Sequence, residues 1–117
     1  MYSLPAFWSM ARENVDVITI ICNNASYAIL QAEFANARLG TPGQATRAMT
    51  QLNKPAIDWV SLGKSLGISA SARATTVEDF ERLLTAALSR HGPSLIDAVL
   101  RQPAASDPDH HDSVSFA

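Results

Sequence analysis

Among the 117 residues, those of types that could do chemistry include three histidines, one cysteine and eleven carboxylates. His110, His111 and Asp112, with Asp107 and Asp109 just before them, are of metal-binding types. Adjacent histidines in an acidic, proline-containing stretch cannot fix a closed coordination geometry, so a solvated tail is the expected reading. His91 stands in what reads as the last turn of a helix before Gly92, where a cation suits the helix dipole; a structural role is expected. Cys22 is the single cysteine, so an intrachain disulfide is excluded and a reducing compartment is indicated. It closes an apolar run and reads as a buried thiol rather than a nucleophile. Asn23 and Asn24 follow directly, and an Asn pair by itself is most simply a turn that stops a strand.

The elements that must position these groups can be read from periodicity. Leu4, Phe7, Trp8 and Ala11 form an amphipathic stripe, with Pro5 tolerable in the first helical turn. Arg12 and Glu13 belong to its solvated face. Val15 to Cys22 is rich in β-branched residues and almost continuously apolar, the pattern of a strand buried on both faces of a parallel sheet. From Tyr27 a second helix is expected, with Tyr27, Leu30, Phe34 and Ala37 on one face, and Gly40 to Gly43 breaks it. Gln44 to Pro55 reads as a loop with a short turn of helix. Asp58 is a candidate N-cap for a helix carrying Trp59, Leu62, Gly63 and Leu66 and ended by Gly67. Trp8 and Trp59 are expected in the core.

Ile68, Ala70, Ala72 and Ala74 alternate with Ser69, Ser71 and Arg73, which predicts a short strand. Thr75-Thr-Val-Glu78 reads as a capping box before a helix whose stripe is Phe80, Leu83, Leu84, Ala87 and Leu88. Gly92-Pro93 ends that helix, and Ser94 to Leu100 is a last strand. From Arg101 the composition turns to Pro, Ser, Asp and His, so residues 101–117 are expected to be a disordered tail behind one domain of residues 1–100. The resulting order, α-β-α-α-β-α-β, predicts an α/β fold: a parallel sheet flanked by helices.

Composition narrows the function classes. Hydrophobic residues make up 47% and charged residues 17%, with a net charge of -2. That is an ordinary globular chain with no basic block, so nucleic acid is not an expected partner. No stretch has the apolar length of a membrane span, and the first residues lack the basic and apolar regions of a secretory leader. A soluble, cytoplasmic protein is expected.

One segment says more. Ala6-Phe-Trp-Ser-Met-Ala-Arg-Glu13, the strand Val15 to Cys22, and Asn23-Asn-Ala-Ser-Tyr-Ala-Ile-Leu30 together resemble the second half of the cofactor motif of thiamine-diphosphate-dependent enzymes, of the acetolactate synthase and benzoylformate decarboxylase kind. Trp59 in Asp-Trp-Val-Ser-Leu-Gly, the run Ala74 to Phe80, and Gly92 to Val99 resemble the later part of the same C-terminal domain. In that family the motif opens on Gly-Asp-Gly after a strand, passes through a helix and a strand, and closes on Asn-Asn. The Asp and the second Asn supply oxygens to Mg²⁺, a backbone carbonyl two residues later supplies another, and the diphosphate and water complete the octahedral shell.

Carried onto this chain, the resemblance implies Asn24 as the side-chain metal ligand and Ser26 as the carbonyl ligand. It implies that the N–H groups near Tyr27, Ala28 and Ile29 face the diphosphate, and that Tyr2 approaches the phosphate end. Leu30 and Glu33 would face the substrate side. The implied cofactors are thiamine diphosphate and Mg²⁺, the implied substrate a 2-oxo acid, and the intact protein is implied to be a homo-oligomer. Two parts of the family pattern are not found in the 117 residues: Gly-Asp-Gly, whose place would be just upstream of Met1, and the pyrimidine-binding domain with the glutamate that activates the cofactor. The expectation is thus an incomplete, N-terminally truncated domain, inactive alone, from an enzyme of C–C bond chemistry. The alternative is a non-catalytic binding module that associates with a subunit supplying the missing motif. An open strand edge would mark such a module.

Overall fold

The computed structural model describes residues 4–27, 29, 30, 33, 37 and 43–100. Helix α1 (Leu4–Arg12) forms with Pro5 in its first turn, where the missing N–H is not needed. It turns its stripe inward through Phe7, which is buried, and through Leu4, Met10 and Ala11. Trp8, expected with them, is 52% exposed and lies under the Arg12 guanidinium, 5.3 Å from the ring centroid. The inward face is therefore rotated from Trp8 toward Met10 relative to what the periodicity suggests.

Strand β1 (Ile18–Asn23) begins later than Val15. Val15 donates its N–H to the Met10 carbonyl and so completes the end of α1 instead of entering the sheet. Two helices follow among the described residues, α2 (Gln44–Thr50) and α3 (Trp59–Ser65). Where the sequence suggests a loop with one short turn, α2 is a seven-residue helix. The expected helix from Tyr27 lies mostly outside the described residues, although Ile29, Leu30 and Glu33 have helical backbone.

Asp58 caps α3 as expected: one carboxylate oxygen accepts the Ser61 N–H and the other its hydroxyl. At the far end Gly67 adopts φ +95, the Gly67 N–H bonds to Lys64 and the Ile68 N–H to Gly63. This is a Schellman closure, and it needs the left-handed conformation that glycine takes without penalty. Strand β2 (Ala70–Ala74), helix α4 (Val77–Leu88) and strand β3 (Ser94–Val99) complete the chain.

The α4 cap is Thr76, whose hydroxyl accepts the Asp79 N–H at 3.1 Å, not Thr75 with Glu78. Asp79 thus takes the third helical position and pairs with Arg82. Leu88, placed on the buried stripe by periodicity, is 71% exposed at the helix end. His91 lies beyond the end of α4, not in its last turn, and meets Asp16 at 3.0 Å.

The three strands are parallel in the order β1-β3-β2, so the last strand in sequence is the middle one. Ile20, Ile96 and Ala72 stand in one row, and Ile21, Asp97 and Arg73 in the next. Side chains alternate between faces. Phe7, Ile68 and Leu95 form the core between the sheet and helices α1 and α3, with Ile21, Trp59 and Leu66 packed against it. Gly63 lets α3 approach, since a methyl there would collide with the Ser71 hydroxyl. Helix α4 packs on β2 and β3.

The expected burial of β1 on both faces is not met among the described residues: Thr19, Ile21 and Asn23 are half-buried toward α1 and α3, and no β1 side chain is fully buried. Ile20 is 42% exposed, and Cys22, expected to be buried, is exposed too. Both point to the side away from α1 and α3. None of the described helices is long and apolar enough to cross a membrane.

Candidate functional site

Three parallel strands end at one edge of the sheet, and the chain that leaves β1 there makes a tight turn. The Asn23 side-chain oxygen accepts the Ala25 N–H at 3.2 Å, and the Asn24 side-chain oxygen accepts the Ser26 N–H at 3.1 Å. Two overlapping Asx turns of this kind direct the backbone without help from the sheet. Ala25 pays a small conformational cost at φ +53, in the left-handed region.

The turn is then fastened from outside. Ser26 bridges Gln51 in antiparallel fashion, with Tyr27 N–H bonded to the Thr50 carbonyl and Leu52 N–H to the Ala25 carbonyl, both at 2.8 Å. Neither bond uses the Ser26 carbonyl. Ser26 is only 6% exposed, and its hydroxyl is buried without a hydrogen-bond partner among the described residues. Tyr27 follows, exposed, and its carbonyl accepts the Leu30 N–H, the first bond of a helical turn.

A cavity of about 540 Å³ opens at this edge, between the turn, the segment Gln51 to Ile57, Trp59, and the strand ends at Arg73, Val99 and Leu100. Arg73 is the one charged group among its described lining residues. Its Nε donates to Asp97 at 2.7 Å, and its Nη2 lies 3.5 Å from Asp58. The hydrogen bond to Asp97 holds the guanidinium pKa above its ordinary value, burial opposes this, and the charges of Asp97 and Asp58 add to the rise. Asp97 is fully buried on the middle strand, and its other oxygen accepts the Asn23 side-chain N–H at 2.9 Å. Asp58 has its pKa lowered, first by the Ser61 hydroxyl.

The cavity is a crevice outside the carboxyl ends of parallel strands, where open α/β sheets collect their ligands. The oxygens near it belong to amides, carbonyls and hydroxyls, donors of the kind chosen by a hard cation. No group of three or more His, Cys, Asp or Glu gathers among the described residues. The His110–Asp112 cluster lies outside them, as do Tyr2 and Ala28. Asn24, Ser26, Tyr27 and Ile29 come together in the turn and the start of the following helical segment. Arg73 and Asp97 escaped sequence reasoning as site residues, and Asn23 was read only as part of the turn that stops the strand. A signal did exist for Asp97, a carboxylate inside Leu-Ile-Asp-Ala-Val, since a charge in a fully apolar strand demands a partner.

Residues 1–98 match the model of the thiamine pyrophosphate enzyme family, C-terminal TPP binding domain. The chain belongs to this family. It is 40% identical over 101 residues to the "Putative acetolactate synthase large subunit IlvX" of Mycobacterium tuberculosis (strain ATCC 25618 / H37Rv), a match covering 86% of this chain and 19% of that protein. Among solved structures, the Rhodococcus jostii RHA1 thiamine diphosphate-dependent 4-hydroxybenzoylformate decarboxylase superposes with a TM-score of 0.73 at 27% identity, over 87% of this chain and 18% of that one. The family's chains thus extend well beyond the portion represented here: this domain spans about a fifth of each relative. The parallel sheet with flanking helices is that of the family's cofactor-binding domain.

Proposed function

We propose that this domain forms the metal- and diphosphate-holding side of the cofactor site in a thiamine-diphosphate- and Mg²⁺-dependent enzyme acting on 2-oxo acids. The chemistry would be of the acetolactate synthase or decarboxylase kind. The observation that carries this reading is the Asn23–Ser26 turn, set at the carboxyl edge of a parallel sheet and facing a cavity of about 540 Å³ in a chain of this family.

The residues present suit the group. An amide oxygen has two lone pairs, so the Asn24 oxygen that accepts the Ser26 N–H can also ligate a cation. The Ser26 carbonyl takes no part in the bonds to Thr50 and Leu52, and its orphaned hydroxyl sits at the same place. In this reading Asn24 and the Ser26 carbonyl hold Mg²⁺, and the N–H groups of Tyr27, Ala28 and Ile29 receive the diphosphate, with Tyr2 near its end. The bound cofactor supplies carbanion stabilisation, and the protein supplies orientation and activation. Activation belongs to a pyrimidine-binding domain, and a second side-chain ligand to a Gly-Asp-Gly segment. The 117 residues contain neither, so by themselves they are expected to be inactive. The setting would be the cytoplasm, where a lone exposed thiol such as Cys22 stays reduced.

Calorimetric titration tests this. Thiamine diphosphate with Mg²⁺ should give no measurable binding to the 117-residue chain. Binding should appear once a strand ending in Gly-Asp-Gly is joined ahead of Met1, and Asn24→Ala in that longer chain should weaken it by about tenfold or more, one good ligand's worth. Micromolar binding to the 117-residue chain would overturn the need for the second ligand, and unchanged affinity in Asn24→Ala would overturn the ligand assignment.

A second reading is favoured by the surface near β1, where Ile20 is exposed on the edge strand and Val15 and Val17 are exposed in the segment leading into it. In this reading the domain is a non-catalytic module that docks on a subunit carrying the missing motif. Co-purification with such a subunit supports it, and a stable monomer in dilute solution counts against it.

A further inference from the structure

We propose that Asp97 is a positioning residue for the Asn23–Ser26 turn: from the middle strand it fixes which way the Asn23 amide points, and through Asn23 the turn that carries Asn24. The proposal rests on the reading of that turn as the cradle for metal and diphosphate.

The argument begins with the Asn23 side chain, both ends of which are committed. Its N–H donates to Asp97 Oδ1 at 2.9 Å, and its oxygen accepts the Ala25 N–H at 3.2 Å. A primary amide can rotate by half a turn at little intrinsic cost, and the flipped form would aim its NH₂ group at the Ala25 N–H and open the turn. An ionised carboxylate only accepts. Asp97 therefore holds the NH₂ end toward the sheet and leaves the oxygen for Ala25.

Asp97 is itself immobilised. Its strand is paired on both sides, its side chain is 0% exposed, and Arg73 Nε occupies its other oxygen at 2.7 Å. The result is a chain of directed bonds from Arg73 on β2, through Asp97 on β3, to Asn23 on β1 and into the turn. Support of this kind from behind a ligand is what keeps a binding geometry in place.

Amide hydrogen exchange of the 117-residue chain, read residue by residue by NMR, tests the proposal without any cofactor, so its failure is separate from failure of the functional reading. In Asn23→Asp the acceptor for Ala25 remains, and Asp is as good an Asx-turn residue as Asn, but the donor to Asp97 is replaced by a second carboxylate that Asp97 repels, a repulsion that the reciprocal swap removes. Exchange at Ala25 and Ser26 should rise about tenfold or more while the Ile96 amide in β3 stays as in the parent. The reciprocal swap, Asn23→Asp with Asp97→Asn, restores the pair with roles reversed. The introduced amide at position 97 donates to position 23 and accepts from Arg73, and Ala25 and Ser26 should return to near-parental rates. The proposal is overturned if Asn23→Asp leaves Ala25 and Ser26 unchanged, if the rise is uniform across the sheet, or if the swap fails to restore them. Should Asp97→Asn or the swap fail to fold, the localised effect of Asn23→Asp, present or absent, decides.

Discussion

Asp16 receives the Gly92 N–H at 2.6 Å and lies 3.0 Å from His91, groups some 75 residues further along the chain. The first of these, then the second, lowers its pKa from the ordinary 3.8. A carboxylate with a lowered folded-state pKa contributes stability above its unfolded value, and that contribution is lost as pH falls through the lowered one. Asp16→Asn keeps an acceptor for Gly92 but removes the charge. Thermal melts should show wild type ahead of Asp16→Asn at neutral pH, with the gap shrinking below pH 3.8 and closing in stronger acid. A gap independent of pH would mean that the charge is irrelevant. This pairing was invisible in the sequence, where His91 reads as a helix-end cation, because nothing local shows that β1 and β3 start side by side. Asn24 and Ser26 are the opposite case: the Asn23 and Asn24 side chains bond to backbone N–H groups two residues on, so residue order alone brings them together.

At the scale of elements, local rules hold best where an end is set by local bonds. Asp58 and Gly67 bracket α3 as their types require. Thr75 and Thr76 illustrate the limit: either hydroxyl could cap α4, and the choice depends on β2 running to Ala74 before the chain turns. Thr76→Ala should cost about 1 kcal/mol in denaturant unfolding, the usual worth of such a cap, and Thr75→Ala distinctly less. Equal losses would contradict the assignment. Helix α2 was hidden for another reason. Its sequence, Gln-Ala-Thr-Arg-Ala-Met-Thr, has no apolar stripe, and Met49 is exposed, so the periodicity that reveals packed helices is missing.

For the molecule as a whole, the described sheet leaves β1 at an edge with Ile20 and Cys22 uncovered on one face. Edges of this kind invite pairing, and a charge placed on them discourages it. Sedimentation velocity of the 117-residue chain should show association that grows with concentration, and Ile20→Lys should reduce it; a monomer unchanged by the substitution would show that this surface is inert. What residue order alone determined is considerable: the alternation of helices and parallel strands, the family resemblance, and a turn at Asn23–Ser26, because each depends on spacing within a short stretch. The strand order β1-β3-β2 was left to tertiary structure, and with it the meeting of Arg73, Asp97 and Asn23 in one polar chain at the sheet's edge. Hydrogen bonds across strands join residues far apart in sequence, and only the packing of the whole sheet chooses which of them become neighbours.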